Sequence, residues 1–276
     1  MLATFVIGLR EGLEASLIVG IVSAFLVQRG ERRALRSVWA GVLLAVALCL
    51  GAAAALQAAT RSLPQRQQEQ LETVLALVAV AMVTWMVVWT TRHARTLRAE
   101  LEASTSSALA KGSAWALVAM AFLAVLREGL ETSVFLLATY QASGSNAGGA
   151  LGASLGVLLA AALGYAVYRG GVRLDLGRLF RVTGVVLVLV AAGLVMSAAH
   201  TAYEAGWLLA GQGTAVDLST LVTPGTVRSA LFTGVLGWQP RPTVAEVTGW
   251  LLYLLPMLVV VLRPRAGRPA PQRVPA

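Results

Sequence analysis

Seven long apolar stretches dominate the chain, at about 3–27, 38–57, 71–91, 114–140, 150–168, 182–202 and 246–262, with polar segments between them. Each comes close to the roughly 20 residues a helix needs to cross a hydrocarbon layer. Apolar and polar residues do not alternate within them, which argues against the short strands of a membrane barrel. In hydrocarbon every backbone N–H and C=O must be paired within its own segment, and a helix does this. The pattern predicts an all-α polytopic membrane protein with seven transmembrane helices. One transmembrane domain is expected over 1–262. The Arg- and Pro-rich tail, 263–276, has the composition of a disordered cytoplasmic segment.

Composition agrees with this reading. The chain is 57% hydrophobic and 13% charged, against about 25% charged for a soluble domain. Its net charge of +9 would suggest nucleic acid in a soluble protein. Here the basic residues lie in patches beside apolar stretches and no aromatic-basic motif accompanies them, so no nucleic-acid partner is expected. Sixteen of the 22 Lys and Arg residues fall in alternate loops and the tail, from Arg29–Arg36 to Arg263–Arg273, and only Arg61, Arg66, Arg228 and Arg241 fall on the opposite side. The positive-inside rule then places the N-terminus outside and the C-terminus in the cytoplasm. The first stretch has no basic leader and holds three ionisable residues, so it reads as a retained span of a cytoplasmic (inner) membrane protein. The single cysteine, Cys49, reads as a small core residue.

Charges interrupt two stretches in their middles. The first reads Leu9-Arg10-Glu11-Gly12-Leu13-Glu14-Ala15-Ser16 and the fourth reads Leu126-Arg127-Glu128-Gly129-Leu130-Glu131-Thr132-Ser133. Copies three spans apart run in opposite directions through a membrane. This predicts two inverted three-helix repeats, 1–91 and 114–202, plus a seventh span at 246–262. Transporters with inverted repeats place their sites near the midplane, between the repeats. Residues three or four apart share a helix face, so Arg10 neighbours Glu14, Glu11 lies beside Glu14, and Arg127, Glu128 and Glu131 repeat the arrangement. One charge at mid-membrane costs about 2.5–3.5 kcal/mol, so six must face one another or water. A salt-bridge scaffold would balance its charges, whereas four acids against two bases suit a cation. Loss of Arg127 is expected to damage insertion by stripping Glu128 and Glu131 of their counter-charge. Carboxylates favour hard cations, and the residues alone leave open a hard metal ion or a proton pathway.

The doubled motif resembles that of the oxidase-dependent iron transporter family, whose bacterial branch is the EfeU-type iron permeases. The likeness covers about residues 3–265 and includes Thr84-Trp85-Met86-Val87-Val88-Trp89 and Tyr203-Glu204-Ala205-Gly206, although some bacterial members carry His where this chain has Tyr203. The resemblance implies seven spans, an outside N-terminus and iron as substrate. It places iron at Glu11, Glu14, Glu128 and Glu131, with Arg10 and Arg127 as charge partners. It also implies an extracytoplasmic iron oxidase or iron-binding protein as partner, supplying ferric ion.

At the outer mouth, Glu72 and Glu204 are expected to help capture cations, because acids of one sign concentrate them. Glu69, Asp217 and Glu246 read as solvated helix-end or loop residues, and His200 as a hydrogen-bonded structural histidine. The long segment 203–245 is expected to hold a lid or a short interfacial helix near 226–236. No copper, haem or nucleotide-binding motif is present, so neither iron oxidation nor ATP hydrolysis is expected of this chain, and no permanently bound cofactor. Transport of manganese or lead, proton-coupled exchange and, less well supported, an intramembrane acid/base enzyme are the competing readings.

Overall fold

The computed structural model describes residues 1–28, 30–61, 63–93, 114–143, 146–169, 176–219, 222, 232–233 and 235–262. Its seven long helices are α1 (Leu2–Gln28), α2 (Arg32–Arg61), α3 (Gln65–His93), α4 (Ala114–Ser143), α5 (Asn146–Tyr168), α6 (Leu176–Glu204) and α7 (Val244–Leu262). Each overlies one predicted stretch. Several run past it: α2 starts at Arg32 and α3 at Gln65, about six residues early. Hydropathy marks the thickness of the hydrocarbon layer, and a helix can continue beyond it on polar residues such as those of Gln65–Gln70. Among the described residues, five helices are long and apolar enough to cross a membrane, at Arg33–Thr60, Gln65–Thr90, Gly148–Ala166, Gly177–Glu204 and Val244–Leu262. The other two, α1 and α4, are the ones that carry the charged motifs. The tail 263–276 and most of 226–236 lie outside the described residues.

Small residues decide which helices touch. Helices α1 and α5 run parallel in close contact: Gly8 lies against Ala153, Gly12 against Ala160 and Ser16 against Gly164. A Cβ at Gly8 would come 2.6 Å from the Ala153 carbonyl oxygen, and one at Gly156 would collide with the Phe5 backbone. Lipid tails are as apolar as leucine, so close backbone approach through such residues replaces the hydrophobic drive between helices. Helices α2 and α4 form a second parallel pair, with Gly41 against Val118 and Cys49 against Gly129. Helices α3 and α6 are antiparallel, and the buried hydroxyls of Thr73 and Thr201 share a hydrogen bond of 2.7 Å. Helices α1 and α4 cross antiparallel, with Val19 beside Val125 and the Val22–Leu26 turn beside Ala121. The largest apolar core joins the start of α1, the end of α4, and helices α3, α6 and α7, through residues such as Ile7, Val83, Phe135, Leu187 and Leu254.

Helix α6 ends in a Schellman cap. Gly206, at φ 80°, supplies the left-handed residue; its N–H bonds the Tyr203 carbonyl, and the Trp207 N–H bonds that of Ala202. The chain then pairs with the residues leading into α7: Ala215 N–H bonds the Pro242 carbonyl and Val244 N–H that of Gly213. A second strand of this connection presses on α6, where Gly237, at φ 72°, lies against the Gly193 backbone. Trp250 of α7 pins it, donating Nε1–H to the Leu236 carbonyl at 3.1 Å and meeting Trp238 edge-on.

Candidate functional site

The crossing of α1 and α4 brings the two motif copies together. Carboxylate oxygens of Glu11, Glu128 and Glu131 all lie within 4.8 Å of one another, close enough to hold one metal ion. Glu11 and Glu128 are buried, and Glu131 is half-buried. Two residues of this triad come from the second copy and one from the first, so neither copy makes it alone. Glu14 stands outside the triad and forms an ion pair with Arg10, its Oε1 lying 3.4 Å from Nη2 without a hydrogen bond.

The guanidiniums sit differently. Arg10 is 1% exposed; it bonds the Thr90 hydroxyl of α3 at 2.8 Å, reaches Glu11 at 3.8 Å and lies over the Phe180 ring of α6 at 5.9 Å. Arg127 is 62% exposed and holds Glu131 through Nε at 2.9 Å, with Glu128 at 3.9 Å. Both Glu11 oxygens, Glu14 Oε1 and Glu128 Oε2 are buried and accept no hydrogen bond from the described residues. Buried polar atoms are nearly always paired, and an unpaired buried carboxylate is costlier than a neutral group. A cation among these oxygens would satisfy them, and an all-oxygen donor set suits a hard or borderline metal ion.

The surroundings of the copies match pairwise. Ser16 Oγ–H donates to the Ala160 carbonyl at 3.3 Å, and Ser133 Oγ–H donates to the Cys49 carbonyl at 3.4 Å. A Cβ at Gly12 would lie 2.8 Å from Ala160 Cβ, and one at Gly129 would lie 2.5 Å from Cys49 Sγ. Ala160 and Cys49 therefore occupy corresponding places on α5 and α2.

A second group lies where α3 and α6 meet through Thr73 and Thr201. Glu72 accepts from Gln68 at 2.9 Å, Glu69 accepts from Gln65 at 3.0 Å, and Glu204 is exposed. His200 stands between two carboxylates, with Nδ1 at 2.9 Å from Glu246 and Nε2 at 3.5 Å from Glu204. The expectation that Glu246 is a solvated helix-end residue is corrected: it is 3% exposed. It closes a capping box at the start of α7, where Thr243 N–H donates to Glu246 Oε2 at 2.9 Å and Glu246 N–H donates to Thr243 Oγ1 at 3.3 Å. The Thr-Val-Ala-Glu spacing at 243–246 carries that signal in the sequence; the His200 contact, from 46 residues away, does not show there. Asp217 is exposed, and its bonds to Ser219 together with Arg241 at 3.2 Å hold its carboxyl below the usual carboxylate range, a local loop clasp.

The profile of the Iron permease FTR1 family matches residues 1–268 of the chain. The chain is 42% identical over 277 residues to the ferrous iron permease EfeU of Escherichia coli O6:K15:H31 (strain 536 / UPEC), covering 99% of this chain and 100% of that protein. It is 38% identical over 266 residues to the ferrous iron permease EfeU of Yersinia pestis, covering 96% and 94%. No solved structure matches it significantly.

Proposed function

Since the chain belongs to the iron permease FTR1 family, a family of transporters and not of enzymes, we propose that iron crosses the membrane through the Glu11, Glu128 and Glu131 triad. The observation that carries this reading is the convergence of three carboxylates from two helices within 4.8 Å, beside buried carboxylate oxygens that accept no hydrogen bond from the described residues. Four acids against two guanidiniums leave a charge deficit of two that a divalent or trivalent ion offsets. Glu14 assists by sharing the Arg10 guanidinium with Glu11, and Arg127 holds Glu131 until an ion displaces it.

The same reading takes the two halves as inverted repeats about the α1–α4 crossing. The matched contacts of Ser16 and Ser133, and of Gly12 and Gly129, support it. So do the two parallel pairs, α1 with α5 and α2 with α4, which such a symmetry interchanges. We place the N-terminus outside a cytoplasmic membrane and the C-terminus in the cytoplasm, on the sixteen-to-four division of basic residues. Glu72 and Glu204 then lie at the outer mouth and concentrate cations there. An extracytoplasmic iron oxidase or iron-binding protein would deliver the ion. A ferric cargo fits the carboxylates, while the named relatives are ferrous permeases.

Uptake of radiolabelled iron, manganese and lead into vesicles, with and without a proton gradient, tests this. Iron accumulation that exceeds that of the other two is expected; equal uptake of manganese or lead would replace iron as cargo. A reporter active only in the cytoplasm, fused after residue 265, should be active, and activity of a periplasm-only reporter there would reverse the orientation.

A further inference from the structure

His200, Glu204 and Glu246 make a grouping of a kind known from metal proteins: a carboxylate that orients an imidazole, and a second carboxylate on the opposite ring nitrogen. Glu246 is the orienting partner. It is 4% exposed at its side chain, fixed by the Thr243 capping bonds, and sits 2.9 Å from His200 Nδ1. With a cation at Nε2, a carboxylate there would take the Nδ1–H and leave Nε2 as a lone-pair donor, the relation found behind most metal-binding histidines. Nε2 faces Glu204 at 3.5 Å. Two donors about 2.1 Å from one ion and that far apart subtend roughly 110° at it, close to the tetrahedral angle. At 37% and 43% exposure, His200 and Glu204 leave the remaining positions to water, as suits a site that must load and release.

A second observation points inward from the same group. Glu246 also lines a small cavity among α4, α6 and the segment at 232–239, together with Thr139, Ser197, Thr233 and Gln239. Its volume, ≈ 30 Å³, admits one or two waters. Thr139 lies on α4 two turns beyond Glu131 of the triad. The cavity therefore lies along the helix that links the His200 group to the buried carboxylates.

We propose that His200 and Glu204, with Glu246 orienting the imidazole, form a loading site for first-row divalent cations at the mouth of the permease. Its task is selection. The buried triad offers oxygen alone, a donor set that calcium and magnesium also accept; an imidazole nitrogen favours ions such as ferrous iron over those two. The mouth thus supplies the discrimination that the carboxylates do not. The proposal rests on the reading that iron arrives at the end of α6 that carries His200.

Binding of cobalt(II) to the purified full-length protein in detergent, followed by its visible absorption, tests it. The wild type should show a nitrogen-ligated cobalt site that excess magnesium or calcium does not displace. His200→Gln should weaken it at least tenfold and remove its absorption signature. Glu204→Gln, a change on an exposed side chain that leaves the packing intact, should weaken it similarly. Glu246→Gln should weaken it roughly 10–100-fold, the range seen when a partner behind a metal-bound histidine is changed. The Glu128→Gln/Glu131→Gln protein should keep this site whether or not it still transports, so failure of the triad and failure of the loading site give different results. Unchanged cobalt binding and absorption in folded His200→Gln, or in folded Glu204→Gln, would overturn the site. Unchanged affinity in Glu246→Gln would overturn the orienting role, and displacement by millimolar magnesium the selectivity.

Discussion

The two copies of Arg-Glu-Gly-Leu-Glu have the same residues, but their arginines have opposite surroundings. Arg10 is sealed in, 1% exposed, with α3 contributing the Thr90 hydroxyl and α6 the Phe180 ring. Arg127 is 62% exposed and, among the described residues, pairs with Glu128 and Glu131 of its own turn. Two like motifs therefore divide the work. The first is an anchor that cannot let go, because its guanidinium has no water to retreat to. In the proposed reading the second would be a clasp, its less enclosed guanidinium holding Glu131 until an ion arrives. A doubled sequence does not imply a symmetric site, since what covers each copy comes from elsewhere in the chain.

This comparison can be broken or sharpened by substitution. The largest effect is expected at the triad. Glu128→Gln or Glu131→Gln should cut iron uptake per folded molecule at least a hundredfold, because each removes a charged donor and leaves too few for the ion. Normal normalised uptake in both variants would end the permeation reading. Arg10→Ala comes next. It strands Glu11 and Glu14 in the interior, and breaking a buried pair typically costs about 3–5 kcal/mol; a sharp fall in folded yield and in thermal stability in detergent should follow.

Gly129→Ala should cost about 1–3 kcal/mol through overpacking, since its Cβ would meet Cys49 Sγ at 2.5 Å. Adding Cys49→Ala removes that sulfur and should recover much of the loss in the same melting assay; no recovery would mean that the contact is not what limits the site. A smaller loss of stability than that of Arg10→Ala is expected for Arg127→Ala, because its guanidinium is far less enclosed by protein. Uptake should shift in its dependence on iron concentration while the protein stays folded. A collapse in folded yield as deep as that of Arg10→Ala would erase the distinction between anchor and clasp.

Much of this was open to reading in the sequence. The seven helices follow from apolar length, and the meeting of Glu11 with Glu128 and Glu131 follows from two charged patches that hydrocarbon forces together. The glycines of α5 announced a close helix contact, though not that α1 would be the partner. Other features were hidden for physical reasons. The expectation that loss of Arg127 would damage insertion rests on Glu128 and Glu131 alone; the deeper enclosure of Arg10, set by Thr90 and Phe180 far away in the chain, does not show in the sequence. Glu246 looked solvated because it opens a helix; its burial depends on His200 packing from α6 and on the connection that Trp250 pins down.

The parallel pairing of α1 with α5 has a consequence for how the protein is made. Helix α1 leaves the ribosome well before α5, with three charges at its centre, and the surface that receives Gly8, Gly12 and Ser16 starts only at Asn146. At about 5–20 residues per second, the newborn helix waits on the order of ten seconds for its mate. During that interval its charges must be sheltered by the insertion machinery or by the helices that come between, so this chain places an early and sustained demand on the apparatus that installs it.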